Sequence, residues 1–273
     1  MTDRRGASRV DIFNIKALVI AFLIFVPLER LLGLHAEQKV FRRAFAGDVV
    51  YWLVNGIIIK GSLILLITVA MATVGRLMPL MLQEAVAGQP IWLQVIEIIV
   101  IADLGFYFAH RGFHAVPFLW RFHAIHHSIE ELDWLATNRV HFVDLTLTKA
   151  ASFVPIALLN FDMTAVGLFA LLSYAHGLLL HANLKINFGP LKWIIASPQF
   201  HHWHHANSQA AHDKNYAGQL ALLDALFGTM HLPGNDVPKR YGIDDPVQGH
   251  YFQQLIHPFI PRAKSDDAIS RET

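Results

Sequence analysis

From Val49 to Val74 the chain carries one charged residue, Lys60. About 20 mostly apolar residues suffice to cross lipid hydrocarbon, where the backbone must satisfy its own hydrogen bonds, so this run predicts a membrane-spanning helix. Three further runs follow the same logic. Ile15 to Leu34 is broken by Pro27, Glu29 and Arg30. Ile91 to Ala109 carries Asp103 and Tyr107 in its last turns. Val143 to Leu180 is interrupted by Asn160, Phe161 and Asp162, which reads as the turn of a helical hairpin. The front half of the first run, behind Arg4, Arg5, Arg9 and Lys16, also fits the charge and apolar pattern of a signal peptide, but no clear small-x-small cleavage site follows.

Composition agrees with a lipid-solvated chain. Charged residues make up 16% of the 273, against roughly a quarter in soluble proteins, and mean hydropathy is +0.38. Lys and Arg total 22 against 21 Asp and Glu, so no basic field exists for nucleic acid. There is no cysteine, which excludes disulfides, thiolate zinc sites and cysteine-bound iron–sulfur clusters and leaves the redox compartment open. Basic residues favour the cytoplasmic side, which suits the loop holding Lys39, Arg42 and Arg43 and the segment after Arg111, with a loop at Met78 to Pro90 opposite. The basic N-terminus then puts both ends of the first run on one side, so that run is re-entrant or interfacial, or it defeats the rule. After Gly228 the chain turns polar, with Pro233, Pro238, Pro246, Pro258 and Pro261. This predicts a membrane-peripheral extension ending in a disordered tail from about Lys264.

Seventeen histidines are present, thirteen of them between His110 and His212. His110 and His114 stand four apart, on one helix face with Asp103 and Tyr107. His123, His126 and His127 form a His-x-x-His-His pattern whose i, i+3, i+4 spacing gathers three rings. His201, His204 and His205 repeat it, with His202 inside. At this histidine frequency one such match arises by chance roughly 0.06 times per chain and two roughly 0.002 times, so the clusters call for a chemical reason. His35, His231, His250 and His257 stand alone and read as surface or packing residues; His141 and His212 are intermediate. His176 and His181 are five apart, about 140° around a helix, and cannot both face one metal unless the helix ends or bulges. Imidazole suits zinc, copper, iron and nickel alike. Nine or ten clustered rings exceed one site and suit two metals, with two imidazole-rich iron ions leading. The fold expected is all-α: a multi-span transmembrane helical bundle with a cytoplasm-facing, histidine-rich di-metal cap.

Ile101-Ala-Asp-Leu-Gly-Phe-Tyr-Phe-Ala-His110-Arg-Gly-Phe-His114, then Leu119-Trp-Arg-Phe-His123-Ala-Ile-His126-His127-Ser128, resembles the opening boxes of the fatty acid hydroxylase superfamily, also called the sterol desaturase family. His181-Ala-Asn-Leu, Ser197-Pro-Gln-Phe-His201-His-Trp-His204-His205, Asn215-Tyr-Ala-Gly and Asp224-Ala-Leu-Phe-Gly-Thr229 are similar to its closing signature. The resemblance covers about Ile91 to Thr229. It implies a membrane di-iron oxygenase that uses O2 and two external electrons to oxidise a C–H bond of a lipid. It also implies iron ligation by His110, His114, His123, His126, His127, His181, His201, His204 and His205, with His176 a weaker tenth and His202 beside the metals. Asp103, Arg111, Arg139, Asp213 and Asn215 are candidates to orient ligands or shape the site. Trp134, Arg139 and His141 are candidates to meet the polar head of the substrate.

The expected organisation is 1–90 as N-terminal membrane helices, 91–231 as the catalytic domain and 232–273 as a polar extension. No Gly-x-Gly-x-x-Gly follows a strand and no second domain is evident, so electrons need a separate partner, a ferredoxin or a b-type cytochrome with its reductase. Desaturation on the same centre is the alternative outcome. A histidine-rich membrane metal carrier is the alternative of another class; against it, the boxes lie at span ends rather than at broken helices near the midplane. The membrane is a bacterial inner membrane or an endoplasmic reticulum.

Overall fold

The computed structural model describes residues 14–234, 236–245, 247 and 249–260; Arg4, Arg5, Arg9, Pro246, Pro261 and the tail expected from Lys264 lie outside them. Ten α-helices are present among the described residues, with no strands beyond two isolated bridges, Gly33 with Leu184 and Ala206 with Tyr241.

Among the described residues three helices are long and apolar enough to cross a membrane. Helix α1 (Ile15–Leu32) precedes the first of them, α2 (Phe45–Thr73). After the short α3 (Leu80–Ala87) comes α4 (Ile91–Ala115), and α5 (Pro117–His127) follows at once. A hairpin of α6 (Phe142–Leu158) and α7 (Met163–His181) is the last membrane-depth element. At about 1.5 Å per residue α2, α4 and α7 reach roughly 43, 37 and 28 Å, against a hydrocarbon thickness of about 30 Å. Their outer faces expose Ile64 and Leu65, then Ile96, Val100 and Leu104, then Leu171 and Leu172, side chains suited to lipid. Buried Gln94, Ile98, Ala102, Asp103, Tyr107, His110 and Phe113 form the opposite stripe of α4, which packs against α6 and α7.

The hairpin turn is built where a polar triplet interrupts the apolar run. Asn160 takes a positive φ of 60°, which Asn tolerates, and the Asp162 carboxylate caps α7 by accepting from the Thr164 N–H at 2.7 Å. The segment expected as a loop, Met78 to Pro90, instead contains α3. Its Val86 is buried against Ile98 and Phe161, and Gln83 donates to the Leu158 carbonyl, so tertiary contact orders an apolar stretch too short to be stable alone.

Helix α1 enters the bundle partway along α2. Lys60, the one charge in the apolar run, donates to Asn14 Oδ1 at 2.9 Å, while the other end of α1 joins the end of α7 through Lys185 N–H on the Leu32 carbonyl. Between these points Phe25, Trp52, Trp134 and Leu178 form a shared core. A buried ionic network closes this side. Arg42 donates to both oxygens of Asp133 and to Asp48, and Arg139 donates to both oxygens of Asp48.

Beyond the bundle, α8 (Pro198–His204), α9 (Ala221–Leu226) and α10 (Tyr251–Ile256) cover one end. The cap therefore sits where α4 ends, α6 begins and α7 ends, which is where the histidines lie.

Close approach of α4 and α6 depends on a missing side chain. A Cβ on Gly105 would stand 2.1 Å from the Ala151 carbonyl oxygen, and Ser152 Oγ donates to the Ala102 carbonyl one turn away. Small residues at such crossings let membrane helices touch. Replacing Gly105 by Ala sets a methyl group against backbone, which must move; unfolding in detergent is expected to show a loss at or above the top of about 1–3 kcal/mol. An unchanged midpoint would mean the crossing is looser than this contact.

Candidate metal centre

Each histidine box lies on a helix end. His110 and His114 occupy the last turns of α4, and His123, His126 and His127 the second half of α5, where Pro117 starts the helix and Ser128 ends it. His181 is the last residue of α7. His201 and His204 lie on α8, capped by the Ser197 side chain on the Phe200 N–H, and His205 follows as its C-cap.

Nine rings converge in two groups, His110, His114, His123, His127 and His204 in one and His126, His181, His201 and His205 in the other. Within each group one ring nitrogen per residue lies within 4.8 Å of all the others. Nε2 atoms run in chains: His110 to His123 at 3.0 Å, His123 to His127 at 3.1 Å and His127 to His204 at 3.0 Å. In the second group His126 to His181 is 3.1 Å, His181 to His201 2.9 Å and His201 to His205 3.1 Å. The groups adjoin, with the His127 and His205 rings stacked at 4.7 Å.

What the outer nitrogens do fixes the chemistry. Nδ1–H of His110 donates to the Tyr216 carbonyl at 2.7 Å, His126 to Arg139, His181 to Gly177 and His204 to Lys214. His123 donates to Asp144 Oδ2 at 2.7 Å, and His114 Nδ1 faces Asp213 at 3.3 Å. A neutral imidazole has one donor and one acceptor nitrogen, so each ring held outward through Nδ1–H points an Nε2 lone pair inward. One lone pair cannot bond two neighbours at 3 Å, and several facing one another repel unless a cation lies between them. His114 Nε2 is buried with no protein partner, as that requires, and the Nδ1 atoms of His201 and His205 are buried without one as well. Neighbouring ligands at right angles around an ion with metal–nitrogen bonds of about 2.1 Å stand about 3.0 Å apart, so the residues fit metal ions. Burial first, then the neighbouring imidazoles, pushes His123, His127, His201, His204 and His205 well below the usual imidazole range; His126 is pushed the same way. All six are neutral at pH 7, the form that binds metal.

His176 stands outside both groups. Its Nε2–H donates to the Ala196 carbonyl at 2.8 Å, because the regular helix turns it away from His181 by the five-residue step. His202 also points elsewhere, between Tyr241 OH and the Ala182 carbonyl. Asp103 accepts the backbone N–H groups of Gly218, Gln219 and Leu220 and so anchors the loop that brings the Tyr216 carbonyl to His110. Buried Asn215 holds the same loop to the carbonyls of Phe200 and His231. Arg111 reaches Tyr107 OH at 3.4 Å. Arg139 presents its carbonyl to His126 while its side chain grips Asp48. Trp134 and His141 are core and cap: Trp134 is buried among aromatic rings, and His141 accepts the Val143 N–H and donates to the Leu255 carbonyl. The sequence reading missed Asp144, whose signal was the polar stripe Asp144, Thr148, Ser152 at intervals of four in an apolar run; it quoted Asp224 within a motif without a role, and that carboxylate accepts the N–H groups of Tyr216 and Ala217.

Two cavities flank the histidine layer. An inner one of about 150 Å³ lies among α4, α6 and α7 and touches His110, His123, His126, His181 and His201. An outer one of about 440 Å³, lined by Trp120, His212, Asp213 and Asp244, touches His114, His127 and His204.

Residues 95–229 match the fatty acid hydroxylase family model. An ornithine lipid hydroxylase of Rhizobium tropici is 35% identical over 177 residues, 65% of this chain and 54% of that protein. Human alkylglycerol monooxygenase is 34% identical over 146 residues, 53% of this chain and 32% of its own length. A fatty acid hydroxylase of Lecanicillium is 28% identical over 145 residues, 48% and 40% respectively. The chain thus spans about half, or less, of the relatives it matches. No solved structure matches it. With its boxes in this register, the chain belongs to the fatty acid hydroxylase superfamily.

The neutral cluster gives stability a definite pH dependence. An unfolded chain protonates its histidines near pH 6.5 while the folded cluster refuses protons, so metal-free protein is expected to lose stability as pH falls below about 6.5. Metal-loaded protein should begin from higher stability and unfold at lower pH. Thermal unfolding in detergent from pH 8 to 5 checks this; a flat profile would show that the folded rings take up protons freely.

Proposed function

We propose that this chain is a membrane-bound non-haem di-iron oxygenase that hydroxylates a C–H bond of a lipid, using O2 and electrons from a separate protein. One observation carries the reading: nine imidazoles meet as adjoining groups of five and four, beside a cavity that lies among α4, α6 and α7. His110, His114, His123, His127 and His204 would hold one iron, and His126, His181, His201 and His205 the other. When bound, the iron pair supplies O2 activation and the oxidising power that an unactivated C–H bond demands. The relatives named as a lipid hydroxylase and an alkylglycerol monooxygenase support a lipid substrate.

The chain's own residues do the rest. Phe106, Phe153, Phe169 and Leu180 line the inner cavity with apolar surface that seats the reacting end of a lipid and excludes water. Backbone carbonyls and the Asp144 carboxylate fix ring orientation. A cavity of this size takes only part of a lipid, so the remainder extends into the bundle or the bilayer. The outer cavity faces the polar side, where a ferredoxin or a b-type cytochrome with its reductase would deliver electrons. Lys185, Lys192, Lys214 and Lys239 lie on the cap side against Arg76 at the other end, which supports a cytoplasmic cap in a bacterial inner membrane or an endoplasmic reticulum. Hydroxylation is favoured over desaturation by the activities of the named relatives.

Metal analysis and Mössbauer spectroscopy of protein from iron-57-supplemented cells test the centre. About two irons per chain with a coupled diferric signal are expected, and the signal should vanish in a His126→Ala, His204→Ala double variant. One zinc, or no stoichiometric iron after anaerobic purification, would sink the oxygenase reading in favour of a metal carrier. Asp144→Asn keeps the shape but loses the acceptor charge behind His123; iron affinity is expected to fall about 10–100-fold. Competition with a chelator measures it, and equal retention would show that Asp144 does not orient the ring.

A further inference from the structure

The inner cavity contains a charge that the oxidation above does not use. Nearly all of its polar lining is already committed. Asp103 accepts three backbone N–H groups, Asp144 accepts from His123, Thr148 donates to the Asp144 carbonyl and Ser152 to the Ala102 carbonyl. Gln219 donates to Ser173, and Thr137 to the Gly177 carbonyl. Lys149 is the exception. It is half-buried on α6 and lines the cavity, yet its ammonium has no hydrogen-bond acceptor and no ion-pair partner among the described residues. Asp103 attracts it electrostatically without forming a bridge.

An ammonium held among membrane helices is costly, and such groups pair or mark the path of a ligand. Asp103, the acid that attracts it, already accepts three backbone N–H groups, and Asp144 accepts from His123. Five residues of helix set Lys149 about 7.5 Å along the axis from Asp144, and both residues line the cavity that the rings enter. The unpaired cation and the inward-facing rings of His110, His123 and His126 therefore share one cavity of about 150 Å³.

We propose that Lys149 receives the anionic group of the substrate, a carboxylate or a phosphate, so that the enzyme takes an acidic amphiphile and oxidises it a few bonds from that group. This rests on the lipid-oxidising reading of the site and adds its substrate class. The neutral counterpart of the same chain length would leave the ammonium unpaired and bind more weakly, because a charge-assisted hydrogen bond in a water-poor cavity has nothing to replace it.

The test is equilibrium binding, without O2 or reductant, of palmitate, hexadecyl phosphate and 1-hexadecanol to iron-loaded protein in nanodiscs, followed by native mass spectrometry. At least one of the two anions is expected to bind roughly tenfold or more tightly than the alcohol, and which one distinguishes carboxylate from phosphate recognition. Lys149→Met should abolish the preference and Lys149→Arg should keep it, with iron content unchanged in both. Equal binding of all three probes by the unaltered protein overturns the proposal, whether or not the variants fold. A preference that survives in Lys149→Met also overturns it, since the anion would then lie elsewhere, for instance on the metals. Iron content and the Mössbauer signal are read on the same preparations, so failure of the di-iron centre is distinguishable from failure of the anion site.

Discussion

A neutral imidazole has a single lone pair, and nearly everything in this fold serves to aim those lone pairs. Six of the nine clustered rings are held by an acceptor at Nδ1, which leaves Nε2 no direction but inward. The acceptors come from widely separated places: the start of α6 at Asp144, the turn before it at Arg139, the loop at Asp213, Lys214 and Tyr216, and α7 itself at Gly177. Two of these segments are in turn fixed by carboxylates. Asp103 and Asp224 gather the backbone of 216–220, and Asp48, clamped between Arg42 and Arg139, ties the segment after α5 to the start of α2. The aim of the rings is thus set through the chain by hydrogen bonds that end in buried acids.

Such a network is tolerable because it lies at one end of the bundle. Within the hydrocarbon the helices satisfy themselves, and polar groups at depth other than Lys149 are answered locally, as Lys60 is by Asn14 and Ser152 by the Ala102 carbonyl. Moving the rings one turn deeper would require the acceptor loops to follow them into lipid, where irregular backbone survives only when covered by protein. The boxes therefore occupy helix ends: α4 and α7 deliver theirs as they finish, and α5 and α8 need no membrane-length segment.

What was legible in the sequence follows the same division. Apolar runs disclosed α2, α4 and the α6–α7 hairpin, since length and absence of charge are direct consequences of the solvent, and Asn160 with Asp162 marked the turn. The i, i+3, i+4 spacing disclosed rings that share a helix face, and the 140° step disclosed that His176 and His181 diverge. Backbone carbonyls carry no residue signature, so Tyr216, Lys214 and Gly177 could not be found as ring acceptors. Asp103 and Asn215 were visible as candidates, but their grip on the 215–220 loop depends on tertiary placement. Helix α3 was missed because its order comes from Val86 meeting Ile98 and Phe161 rather than from its eight residues.

The two ligand groups are not equivalent, and the difference follows from where each meets open space. The five-ring group reaches both cavities, through His110 and His123 inward and through His114, His127 and His204 outward, whereas the four-ring group meets only the inner one, through His126, His181 and His201. Fewer protein ligands leave more coordination positions open. On a di-iron reading, the less saturated ion is then the one that faces the lipid cavity alone, and the more saturated ion is the one in contact with the polar mouth. A lipid approaching from the bundle would meet the open positions, while electrons entering from the cap would reach the ion whose ring set is fullest and least in need of rearrangement. Stacking of His127 on His205 at 4.7 Å joins the two sides. Because His126 and His127, like His204 and His205, are neighbours in the chain, each pair divides between the two groups, and the repeated His-His pair is what holds the groups side by side.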